Sequence, residues 1–194
     1  MITASVVTWE NGTDLVLHAT APLPPAQVWR AITDPEVVAE WFAPFTRDDA
    51  AESAADTGAT EDGEILTFTL DGEDLQAELL ACEEEVHVLL EFQALGRVGI
   101  TLEAPDPEDT ASATRIVVTH TYTSLADAAG LIDEIGPVWE THLRYLGEVL
   151  GLELIDVSED ELYAKYAQLA AEVRDEAFAD QDDAEDRNDA EDRG

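Results

Sequence analysis

Between residues 64 and 103 the chain offers four short apolar segments in succession, at 64–70, 74–82, 86–92 and 97–103, separated by turn-forming residues such as the DGED at 71–74. Strand-length runs joined by tight turns pair with their sequence neighbours, so this stretch predicts an antiparallel meander. The acidic, proline-bearing stretch APDPEDTASA leads to a further run, TRIVVTHTY at 114–122, whose Ile116, Val118, His120 and Tyr122 share one face. The period then changes. Across residues 125–150, Ile135, Trp139, His142, Leu146 and Val149 recur at helical spacing and make a stripe that can lie across a sheet. Pro137 is expected either to kink this helix or to mark its start.

Ahead of the meander, TDLVLHAT at 13–20 alternates as a half-buried strand does, with Leu15, Leu17 and Ala19 on one face and Val16, His18 and Thr20 on the other. Prolines at 22, 24 and 25 end it, and proline suits the first turn of a helix, so PPAQVWRAITD predicts one with Val28 and Ile32 on one side and Trp29 beside them. Asp34 followed by Pro35 restarts the chain as a second short helix, aspartate serving as the N-cap. Residues 46–64, TRDDAAESAADTGATEDGE, hold almost no side chain able to offset the entropy of ordering and read as a loop.

Beyond Gly151 the pattern describes a separate unit. Ser158 and Glu161 form a capping box, and Leu162, Tyr166, Leu169 and Val173 make an amphipathic stripe up to about residue 178. An exposed stripe of that kind invites aggregation, so the helix is expected to dock on the chain's own sheet rather than await a partner. The end repeats DAEDR at 183 and 189 and reads as an acidic, disordered tail. The expected organisation is a domain over 1–151, an amphipathic helix within 152–179 and a tail over 180–194.

Composition limits the partners. Forty-five acids against nine Lys and Arg give a formal charge of −36, which repels nucleic acid phosphates and anionic membranes. Sixteen of those acids lie beyond residue 151, so the domain itself is acidic too. Either adaptation to a high-salt cytoplasm or a host with a skewed composition accounts for this. The opening MITASVVTWENG lacks the basic flank and apolar stretch of a signal peptide, and no apolar run approaches the ~20 residues of a membrane span. A cytoplasmic location is expected. The single cysteine, Cys82, excludes an intrachain disulfide and is expected to be buried in a strand and inert.

The stretch APLPPAQVWRAITDPEVVAEWF resembles the entry motif of bacterial homologues of the heat-shock-chaperone ATPase activator, within the START-like (SRPBCC, helix-grip) superfamily. ATRIVVTHTY and VWETHLRYLGEVLG are similar to that family's Thr-Arg-hydrophobic-Thr-His strand and its closing helix, so the likeness spans roughly residues 13–151. It implies an α+β helix-grip fold: a curved antiparallel sheet of about six or seven strands wrapped around a long C-terminal helix, with two short helices after the first strand. It also implies a cavity between sheet and helix, with Trp29 packed in the core under the sheet and Trp41 and Phe42 beside the mouth. Val138, where the family has glycine before tryptophan, the acidic loop at 46–64 and the extra C-terminal helix depart from the pattern.

Apolar and aromatic walls with a few polar anchors are what a ligand cavity needs, which singles out Trp41, Phe42, Trp139 and Leu143 as walls and His120, His142 and Arg97 as polar groups. Plain core packing accounts for the four apolar residues equally well. His120 and His142 near Glu140 invite an acid–base reading, but Glu140 falls on a different helical face from His142 and no nucleophile has a matching base. No catalytic residue, metal site or cofactor is expected. The leading function is binding of a small hydrophobic molecule by a monomer or weak homodimer. The alternatives are a co-chaperone acting on a chaperone, by family likeness, and a cyclase- or hydrolase-type enzyme using the cavity histidines.

Overall fold

In the computed structural model, which describes residues 1–48, 63–103 and 113–191 with side chains as far as Ala177, the meander is present and belongs to a larger sheet. The elements in order are β1 (Thr3–Trp9), β2 (Gly12–Ala21), α1 (Pro25–Thr33), α2 (Pro35–Trp41), β3 (Phe45–Asp48), β4 (Glu64–Leu70), β5 (Glu73–Glu83), β6 (His87–Phe92), β7 (Gly96–Glu103), β8 (Thr114–Tyr122), α3 (Leu125–Val149) and α4 (Glu159–Glu191). The strands form one open antiparallel sheet in the order β1-β2-β8-β7-β6-β5-β4-β3. Its eight strands exceed the expected six or seven because β1 and β3 are added, and the two short helices therefore follow the second strand. β1 is an uncharged alternating run joined to β2 through Glu10-Asn11, with Trp9 paired to Gly12. β3 occupies the start of the presumed loop, the rest of which lies outside the described residues.

Local chemistry accounts for the joints. The β4–β5 turn holds Asp71 at φ 53° and Gly72 at φ 86°, the left-handed pair that a two-residue hairpin requires. Asp34 ends α1 and caps α2 at once: its amide donates to Arg30 O, its carboxylate accepts from the Glu36 amide at 3.1 Å, and Pro35 supplies the first helical position. In α3, Ser124 is the N-cap, and Pro137 lies buried inside the helix rather than at its start.

The core lies between the sheet and α3, where Leu15 and Leu17 of β2 and Ile116 and Val118 of β8 pack with Ile132, Trp139 and Leu146. α3 covers the β2–β8 half of the sheet, whereas α1 and α2 reach toward β7 and β3. Trp29 is only partly buried, contrary to its expected core position. α1 turns Val28, Ala31 and Ile32 inward, and that leaves Trp29 on its flank. Trp41 is the tryptophan of this pair that is buried, with its indole N–H donating to Ala31 O at 2.9 Å.

α4 docks on the far face of α3 rather than on the sheet, whose inner face α3 already occupies. Tyr166 packs on Gly136, and Glu140 is only 1% exposed yet fully engaged. Its carboxylate accepts from Arg144 at 2.7 Å, Tyr166 at 2.9 Å and Lys165 at 2.5 Å. Arg174 adds a bond to Ala129 O and an ion pair with Asp133. The helix runs on to Glu191, into the stretch read from sequence as an acidic tail.

Candidate functional site

The half of the sheet that α3 leaves uncovered forms one wall of an apolar cavity. Strands β3 to β7 send alternate residues inward, among them Phe45, Phe68, Leu90, Phe92, Val98 and Ile100, while Ile32, Val38, Trp41, Phe42 and Trp139 close it from the helical side. The enclosed space is about 80 Å³ and opens to the surface. An apolar cavity of ~150 Å³ is enough to take benzene, so this one suits a small apolar group or the inserted end of a longer molecule.

Phe42 is the hub of the wall. As the residue capping α2 it leaves the helix with ψ −84°, its amide still donating to Val38 O. Its ring stacks on Trp139 at 5.8 Å and 19°, and meets the edges of Phe68 at 5.3 Å and Phe92 at 6.3 Å. Offset and edge-on aromatic pairs of this kind hold their rings in fixed orientations, so the wall has a defined shape.

The two histidines are fixed by donors and acceptors of known sense. The indole N–H of Trp139 donates to Nδ1 of His120 at 2.8 Å, and an indole can only donate, so Nδ1 is unprotonated and Nε2 carries the proton. The backbone of Leu95 lies close enough to favour the protonated ring. Burial lowers the pKa of this ring despite that contact and the charge of Asp14, keeping His120 neutral. It stacks on Tyr122 at 4.7 Å. In His142 it is Nδ1 that donates, to Trp41 O at 2.9 Å, and burial again lowers the pKa against the pull of that bond and of Asp71. Neither histidine lines the main cavity: His120 lies behind Trp139, and His142 faces a tiny void shared with Leu143 on one side and an outer groove beside Tyr145 on the other. Both are held as positioned neutral rings, with no acid–base pair formed. Glu140 faces α4, as its spacing from His142 requires.

Of the residues singled out from sequence, Trp41, Phe42 and Trp139 meet at the cavity, and Leu143 lies one layer behind. Arg97 does not reach it. Val98 of β7 points inward, so its neighbour Arg97 projects from the opposite face, where Nε pairs with Glu91 at 3.0 Å. The basic side chain at the cavity is Arg47, from β3. Cys82, expected to be buried, is exposed and borders the cavity. The register of β5 against β6 shifts between Leu79 and Ala81, and such a bulge returns residues three apart to one face, which is how Leu79 and Cys82 both line it. Phe68 and Phe92 fell in expected strands to which no face was assigned, Phe45 fell in no expected element, and none carried a mark that tied it to Phe42.

No curated protein matches the chain by sequence. Among solved structures it resembles CalU16 from Micromonospora echinospora, at 19% identity over 88% of this chain and 98% of that one, with a TM-score of 0.59. It also resembles a conserved protein of unknown function, EF2215 from Enterococcus faecalis, at 12% identity over 88% and 91% with a TM-score of 0.63. DynU16, from the dynemicin biosynthetic locus, aligns at 22% identity over 71% of this chain and 47% of its own, with a TM-score of 0.53. At these identities the likeness establishes the fold. The sequence model described as "Activator of Hsp90 ATPase homolog 1-like protein" matches residues 22–151, the stretch that supplies α1, α2, the cavity strands β3–β7, β8 and α3, and the chain therefore belongs to that family, with a START-like α+β fold.

Proposed function

We propose that this protein binds a small apolar molecule in the cavity between β3–β7, α2 and α3. The observation that carries the reading is the lining itself. On a chain with 45 acidic residues, the described residues around this cavity include no carboxylate and present six aromatic rings. A region that served only as core would gain from closing the space, since unfilled apolar volume costs stability. The test uses the single cysteine at the mouth. A neutral naphthylamine dye should gain emission with the protein and slow the reaction of Cys82 with a thiol reagent, and native mass spectrometry of gently purified protein should show a bound passenger. Absence of dye binding, protection and passenger together would reject the reading.

A second reading rests on the family description, which names an activator of a heat-shock-chaperone ATPase. It predicts that the purified protein stimulates the ATPase of a bacterial chaperone of that class. An unchanged ATPase rate, with no complex in sedimentation, would remove it.

A further inference from the structure

We infer that the cavity selects small amphipathic carboxylic acids, tail inward and carboxylate at Arg47; this rests on the ligand-binding reading above and narrows it. Arg47 is the one charged side chain among the described residues lining the cavity, in a chain where acids outnumber bases five to one. β3 is too short to do much else: of its four residues, Phe45 and Arg47 share the inner face, one packing on Phe68 and the other standing at the rim. A ligand whose tail lies against Phe42, Phe68 and Phe92 therefore meets a guanidinium where it leaves the apolar wall.

Arg47 already has a carboxylate partner. Its Nη1 meets Glu64 at 3.0 Å, with the two side chains 52% and 37% exposed. Ion pairs this open to water are weak, so exchange of Glu64 for a ligand carboxylate is easily driven by burial of the tail. The guanidinium fork also carries further N–H donors beside Nη1, and it matches a planar carboxylate in two-point fashion. Glu64 thus models the bound head group and at the same time competes with it. An alcohol or amide head makes the same apolar contacts without the charge-assisted bond, and an ammonium head is repelled.

The experiment compares phenylbutyrate with phenylbutanol as displacers of a neutral naphthylamine dye, in buffer of physiological ionic strength. There the screening length is about 8 Å, so remote surface acids are damped while the contact at Arg47 is not. Wild type should prefer the acid by about five-fold, a modest factor because the rim is half exposed. R47Q should abolish that preference and leave phenylbutanol unchanged. E64Q should strengthen phenylbutyrate by about two-fold, since the competing carboxylate is gone. Equal displacement by acid and alcohol in wild type, or a parallel loss of both in R47Q, overturns the assignment of Arg47 while dye binding leaves the cavity reading standing. Failure of the dye to bind wild type, together with no protection of Cys82 and no passenger, removes both.

Discussion

Tyr166 of α4 occupies the space into which Gly136 of α3 would project a side chain, so the tyrosine ring lies directly on the α3 backbone. From that position the Tyr166 hydroxyl reaches Glu140 at 2.9 Å. The close approach and the buried carboxylate are one device: only where α3 has no side chain can the tyrosine lie deep enough to help satisfy the glutamate. Replacing Gly136 by Ala improves helix propensity by ~1 kcal/mol but drives a methyl into a buried ring, which costs about 1–3 kcal/mol. The expected result is weaker docking of α4, seen as faster protease cleavage within 150–158 and a lower denaturation midpoint. Unchanged cleavage would show that the contact contributes little.

Acid should act on this node in a predictable direction. Burial alone would raise the Glu140 pKa, but the bonds from Lys165, Arg144 and Tyr166 outweigh it and hold the carboxyl below its usual range. A carboxyl whose pKa is depressed by folding contributes its full stabilisation above the unfolded-state value and loses it as pH falls through the folded one. Wild type should therefore exceed E140Q by about 1–3 kcal/mol at neutral pH, with the gap closing below about pH 4.

His120 and His142 have the opposite charge type and lose stability in a milder range. Both pKa values are lowered by burial, so on acidification the unfolded chain takes up the protons first. Their contribution is present above about pH 6.5 and declines beneath it. Titration by nuclear magnetic resonance should find His120 still neutral, with its proton on Nε2, where a free histidine is half charged. A His120 that titrates at the ordinary value would contradict the Trp139 bond.

Trp29 in α1 and Trp41 at the end of α2 should behave differently on truncation. Trp41 is 7% exposed and hydrogen-bonded within the core, so Trp41→Ala should cost ~3–5 kcal/mol and weaken dye binding as well. Trp29 lies on the flank, and its replacement by Ala should cost ~1 kcal/mol with little change in binding. Equal losses in denaturant titrations would refute this division.

The formal charge of −36 supplies a prediction independent of any site. Raising KCl from dilute buffer to about 1 M shrinks the screening length from ~10 Å or more to ~3 Å and relieves repulsion among surface acids, so the thermal midpoint should rise. A flat response would favour skewed host composition as the origin of the acidity.

How much of this was legible in the chain depended on whether a residue's role was local. Asp34 and Asp71-Gly72 act on their immediate neighbours, and their local chemistry announces a helix start and a hairpin, whereas the cap at Ser124 was not read and the start of α3 stayed open. β8 and the stripe of α3 were readable because period and length agree. β1 was missed although ASVVTW has strand residues throughout, and its turn at Glu10-Asn11 carries no glycine. Arg47 fell in a stretch read as loop, and the face of Arg97 was not fixed by its strand pattern, since only the register decides which side it takes. The bulge that turns Cys82 toward the cavity has no signature in LLACE. Glu140 was visible as an acid on a helix, but its burial depends on α4, more than twenty residues further along.

The strand order carries a consequence for how the chain assembles. β2 pairs with β8, joining Leu17 to Val118 across most of the domain, whereas every other ladder of the sheet joins strands adjacent in sequence. Bringing such remote segments together loses more chain entropy than closing any of the hairpins, and pairings of this kind slow folding. On a ribosome, β1 and β2 emerge well before β8 and must wait as an isolated hairpin, marginal in water, until β8 has been made. The half of the sheet under α3 is therefore completed only after β8 has followed the five strands β3–β7, and α4, which comes after α3, arrives later still to cover that helix.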